Sequence, residues 1–130
     1  MTITSYSIKN DFVVLSPDKN ASVENFDEGM YARLDENYNN FRGHELVSCH
    51  EFEQDWGSWE LHPHGDEIVV LLSGRASFVL QLENGEKTVE LDEAGKYVIV
   101  PRNVWHTAKT KEKTSMLFIT PGEDTQHKQD

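Results

Sequence analysis

A chain of 130 residues fits one domain with room for a modest core, and 37% hydrophobic content with three Trp, six Phe and four Tyr supplies that core's bulk. Twelve Lys plus Arg against 23 Asp plus Glu give a formal net charge of -11, which opposes the phosphate backbone of nucleic acids and the anionic surface of membranes; neither is expected as a partner. Residues Met1 to Asn10 lack the charged start and apolar stretch of a secretory signal, and no later run reaches membrane-spanning length, so a soluble cytoplasmic protein is expected.

In chain order, Phe26, Met30 and Leu34 recur every four residues, with Tyr38 and Phe41 completing the stripe, and predict one short helix over about Phe26 to Phe41. Arg42-Gly43 ends it. The period then changes to two in His44 to Phe52, a strand on which His44, Leu46, Ser48, His50 and Phe52 share one face. Cys49, the single cysteine, excludes an internal disulfide and a thiolate cluster and reads as a small buried thiol. Asp55-Trp56-Gly57 breaks the strand, Trp59 to His62 forms the next, and Glu67 to Leu72 a third. Arg75 to Leu82 and Lys87 to Leu91 then pair across Asn84-Gly85, a strong hairpin signal. Strands at Lys96 to Val100, Trp105 to Lys109 and Ser115 to Thr120 follow, and a polar tail, 121–130, is expected to be mobile, with His127 solvated.

About eight short strands with frequent turn signals imply an all-β antiparallel sandwich or barrel, preceded by an N-terminal arm and helix over about 1–43 and occupying about 44–120. The run Ile68 to Leu72 has no polar alternation, so both faces of that strand are expected to be covered, one by the barrel and one by another sheet or a second subunit. A homodimer follows as an expectation.

The chemistry concentrates in Trp59-Glu60-Leu61-His62-Pro63-His64-Gly65-Asp66-Glu67. Glu60 and His62 lie two residues apart on one strand and project from the same face, about 6.6 Å apart. A four-residue hairpin loop, Pro63 to Asp66, would set His62 directly opposite Glu67, about 5 Å between Cβ atoms. The competing alignment pairs His62 with His64 and uses Gly65-Asp66 as a two-residue turn, at the cost of a proline inside a paired strand. Trp59 and Leu61 point the other way, as packing residues. By the same alternation Trp105 faces opposite His106. His44 and His50 share their strand face and are candidates to line the same cavity.

Glu67, six residues and Gly74, followed downstream by Gly95, five residues, Pro101 and then His106, resembles the two motifs of the cupin superfamily, and the surrounding string is similar to small single-domain bacterial cupin-like proteins. The resemblance implies a double-stranded β-helix, or jelly-roll barrel, commonly dimeric, with a divalent metal held by Glu60, His62, Glu67 and His106 and with His64 as the alternative ligand. Two departures stand out. Glu60 occupies the place of the usual first histidine, and Asn103 that of a glycine; Asn tolerates left-handed backbone geometry. Two carboxylates and two imidazoles suit Fe(II), Mn(II), Ni(II) or Zn(II), with coordination positions left for a small-molecule ligand. Without a cation, Glu60 and Glu67 would share a proton or bind a basic ligand, since paired carboxylates raise each other's pKa. The expected function is a metal-dependent enzyme acting on a small polar metabolite by oxygenase, isomerase or lyase chemistry; the alternative is a non-catalytic small-ligand binding or sensor protein.

Overall fold

The computed structural model describes residues 3–130. Two strands beyond those expected come first: β1 (Asp11–Leu15) and β2 (Ala21–Asn25) form an antiparallel hairpin. The helix that follows, α1 (Met30–Asn37), is shorter than the expected Phe26 to Phe41. Asp27 accepts the Gly29 N–H at 3.0 Å and fixes the turn before it, while Asn39, Asn40 and Phe41 take positive φ and curl the chain into a separate 3-10 turn. The stripe still serves its purpose, because Met30, Leu34 and Phe41 bury against Phe12, Val14 and Leu46. Phe26 lies outside the helix, 45% exposed, and stacks on Phe12 at 5.0 Å.

The remaining strands are β3 (Glu45–Phe52), β4 (Ser58–Leu61), β5 (Glu67–Ser73), β6 (Ala76–Leu82), β7 (Gly85–Leu91), β8 (Tyr97–Val100), β9 (His106–Lys109), β10 (Thr114–Thr120) and β11 (Gln126–Gln129). They build a six-stranded sheet, β2-β1-β3-β10-β5-β8, and a five-stranded sheet, β11-β4-β9-β6-β7, with every pairing antiparallel. From β3 onward the chain changes sheet at each step except β6 to β7, the alternation of a jelly-roll. The β6–β7 hairpin is as expected, but its loop is Glu83-Asn84, one residue earlier than Asn84-Gly85, because Leu82 pairs with Gly85.

The core lies between the sheets, where Val69, Leu71, Phe78, Leu91, Val100, Met116 and Phe118 pack together. Outside, the six-stranded sheet carries an unbroken ladder of β-branched residues, Val23-Val13-Val47-Ile119-Ile68-Ile99, each paired in register with the next. Beside it runs Cys49-Leu117-Val70-Tyr97. Val23, Leu72, Tyr97 and Ile99 on this sheet are exposed. The apolar run of β5 is thus covered by the barrel on one side, while its other side belongs to this outer face. The 121–130 tail, expected to be mobile, instead lays β11 along the edge of β4; the Trp59 indole N–H donates to Asp130 at 2.9 Å, and the Lys128 ammonium sits over Trp59 and Trp105. That contact places both tryptophans outside the barrel. Among the described residues, no helix is long and apolar enough to cross a membrane.

Candidate metal centre

β4 and β5 do not form the expected hairpin. β4 pairs with β11 and β9 in one sheet and β5 with β10 and β8 in the other, so residues 62–66 carry the chain across the barrel. A proline followed, after His64, by Gly65-Asp66 stops a strand equally well at a hairpin or at a corner, and here it makes a corner. His62 and Glu67 nevertheless meet, from opposite walls, with 3.4 Å between Nε2 and Oε2.

Each wall supplies ligand-type atoms. On the five-stranded sheet Glu60 is paired in register with His106, and their side chains enter the barrel on one rung. Glu60, His62 and His106 bring donor atoms within 4.8 Å of one another. On the six-stranded sheet Glu67 shares the inward face of β5 with Val69 and Leu71 and reaches His106 Nε2 at 3.1 Å. The Thr120 hydroxyl, from the adjacent strand, donates to Glu67 Oε2 at 2.6 Å.

Hydrogen bonds fix which imidazole atoms face inward. Thr125 donates its hydroxyl proton to the Gly122 carbonyl, so its oxygen accepts from His62 Nδ1–H at 2.9 Å. The Val104 carbonyl accepts from His106 Nδ1–H at 3.0 Å. Both Nε2 atoms are thereby turned toward the carboxylates, and both are buried without a hydrogen-bond partner, as is Glu67 Oε1. Such atoms are costly to bury unpaired. Burial alone would push the Glu67 carboxyl up, but His106 and His62 outweigh it and hold it at about 2; burial would lower His106, yet the Glu67 carboxylate raises it. The expectation that two carboxylates raise each other is corrected at Glu67, because its near neighbours are imidazoles. The cluster demands positive charge, and a proton on His106 or a divalent cation supplies it. Two buried nitrogens and carboxylate oxygens, oriented from behind by hydrogen bonds, fit a borderline divalent metal.

His64 lies elsewhere. It is half exposed, bonded to Asp124 Oδ2 at 3.0 Å, and directed away from the cluster beside Glu123. The two histidines of the β3 region also part: His50 lines a cavity that Glu60, His62 and Glu67 line too, whereas His44 packs between Tyr38 and Phe41 and donates to the Arg42 carbonyl at 2.8 Å. Asn103 adopts φ +63, as its place in the turn requires, and its N–H donates to the His62 carbonyl at 3.0 Å, tying the two motifs together.

Sequence reading missed two contributors. Thr125 orients His62, and His127, paired in register with Glu60, brings Nε2 to 3.7 Å from Glu60 Oε2. Both come from a segment too short and polar to show a period.

A family model for the cupin domain matches residues 51–121, more than half the chain. Comparison with curated protein sequences gives no match. Among solved structures, the chain is similar to a cupin-2 domain containing protein from Shewanella frigidimarina (21% identity, TM-score 0.51, covering 59% of this chain and 70% of that one). It is also similar to hydroquinone 1,2-dioxygenase from a Sphingomonas species (16%, 0.50, 58% of each chain). A third likeness is to oxalate decarboxylase of Bacillus subtilis, whose centres hold Mn(II) (19%, 0.53, 65% of this chain and 23% of that one). At these identities the likenesses concern the fold. Family match, alternating sheets and shared fold lead to one statement: the chain belongs to the cupin domain family.

Proposed function

We propose that this cupin binds a divalent cation, Fe, Mn, Ni or Zn, through Glu60, His62, Glu67 and His106, and acts as a metal-dependent enzyme on a small molecule in the barrel. The observation that carries this reading is the pair of buried, unpartnered Nε2 atoms of His62 and His106, aimed at carboxylates and held there by Thr125 and Val104. When bound, the cation supplies Lewis acidity, or oxygen activation if it is iron. The chain's own residues do the rest. Glu60 and Glu67 offset the cation's charge, Thr120 fixes one Glu67 oxygen, and the core residues Val69 and Leu71 close the barrel behind Glu67.

Elemental analysis of protein purified without a metal-affinity tag tests the site. We expect metal in the parent and in His64→Ala, and its loss in Glu60→Ala and His106→Ala. A parent that takes up none of the four metals under any loading condition would overturn the proposal. Non-catalytic ligand binding is the second reading, since a cavity of about 1400 Å³ holds a small molecule whether or not it is turned over. Substrate turnover separates the two.

The protein is further proposed to be a homodimer joined through the outer face of the six-stranded sheet. An apolar ladder six strands wide is the kind of surface that obligate interfaces cover. Light scattering after size exclusion is expected to give twice the chain mass, with Ile99→Lys shifting it toward the monomer. A monomer mass for the parent at micromolar concentration would dismiss the dimer.

A further inference from the structure

We infer that the ligand of this cavity is a small planar aromatic that is uncharged or carries an amine, and not an organic acid. The inference rests on the metal-site reading for the ligand's chelating end; its other end is argued from the wall.

That wall is aromatic. Phe118 lies two residues before Thr120 on the inward face of β10, so the two residues stand about 6.6 Å apart along the strand, on the face that carries the contact to Glu67. Phe118 sits 6.2 Å from Phe52 and 6.1 Å from Trp56, and those two are 5.4 Å apart, ring centre to ring centre. All three line the same cavity as Glu60 and His62. His50 continues the wall, 5.8 Å from Phe118 and enclosed further by Phe12 and Phe26. Burial lowers the pKa of His50 and so favours its neutral ring. Its Nε2 meets the Tyr31 hydroxyl at 3.3 Å, and Tyr31 also lines the cavity, from α1. A flat ring would therefore find aromatic side chains along the cavity wall, with the His50–Tyr31 pair beside them.

The charge of the lining selects further. Besides Glu60 and Glu67 the cavity is lined by Asp35, Glu51, Glu53, Asp55, Glu123 and Asp124, whereas Arg42 is the only lysine or arginine lining it among the described residues. Some of this charge is offset: Lys113 approaches Glu51 at 3.7 Å, Asp55 accepts the Thr110 N–H, and His64 stands by Asp124. The remainder disfavours anions in the cavity. A divalent cation held by Glu60 and Glu67 would have its two charges matched by theirs, so it would add no net charge to draw an anion in. A dicarboxylate would meet a predominantly negative lining, while an amine or hydroxyl on an aromatic ring would meet no such repulsion.

Calorimetric titration with three probes of similar size, catechol, benzylamine and benzoate, tests this on protein whose metal content has first been measured. Catechol and benzylamine are expected to bind about tenfold or more tightly than benzoate. The double variant Asp35→Asn, Glu53→Gln is expected to narrow that gap several-fold by admitting benzoate. Trp56→Leu is expected to weaken catechol and benzylamine alike, with circular dichroism confirming its fold. Benzoate binding as tightly as the other two, or no probe binding to metal-loaded protein, overturns the inference while leaving the metal site standing. Preference for benzylamine in protein that takes up no metal would fail the metal reading and leave the wall's selectivity intact.

Discussion

The hydroxyl of Thr125 has one proton, and the Gly122 carbonyl takes it. The oxygen can then only accept from His62 Nδ1, which commits the ring to a single tautomer and leaves Nε2 as a lone-pair donor. Removing that acceptor frees the ring to rotate and to move its proton. Thr125→Val is therefore expected to weaken metal binding by about 10- to 100-fold, with Thr125→Ser close to the parent, as read by competition against a chromophoric chelator. Equal affinities for valine and serine would mean that the hydroxyl only fills space. At this scale the candidate site was largely legible. Strand parity put Glu60 and His62 on one face and turned Trp59 away, and the second motif pointed to His106. Thr125 was not legible, since a threonine in a polar tail has no pattern that declares its partner 63 residues earlier.

Among the elements, the step from β5 to β6 is the least forgiving. Gly74 has φ +85, and a Cβ there would meet the Lys113 carbonyl oxygen at 2.5 Å and the Thr114 Oγ1 at 2.6 Å. Neither can yield easily, because Thr114 is fully buried and its hydroxyl bonds the Arg75 and Glu112 carbonyls. Gly74→Ala combines left-handed strain with overpacking and should cost about 2–4 kcal/mol in urea unfolding; a loss within error of zero would mean that the turn relaxes freely. Strands β3 to β10 could be read from period and punctuation because their inward faces are apolar and their ends carry Gly, Pro, Asn or Asp. The corner at Pro63 to Asp66 could not, because local turn chemistry does not say whether the next strand joins the same sheet or the opposite one. Nor could β2, as Ala21–Asn25 is mostly exposed and its half-buried alternation is too weak to register, whereas the apolar run Phe12 to Leu15 of β1 does carry a strand signal that the expected elements left out.

For the whole molecule, the consequence of alternating sheets is that the proposed ligands come from both. Glu67 stands on the six-stranded sheet, Glu60 and His106 on the five-stranded one, and His62 on the crossing between them. A cation there would join the two layers and bind the folded state far better than the unfolded chain. At a free concentration about 100 times Kd this adds about 2.7 kcal/mol to stability. Calorimetric melting of metal-loaded and chelator-treated protein should show the loaded form melting several degrees higher, and a Tm insensitive to metal would contradict a shared site. β11 lies at the edge of its sheet, bonded to β4 alone, yet the segment that carries it delivers Thr125 to His62. The proposed site is therefore braced from the rim of the barrel, where a disturbance can reach His62 without parting the two layers.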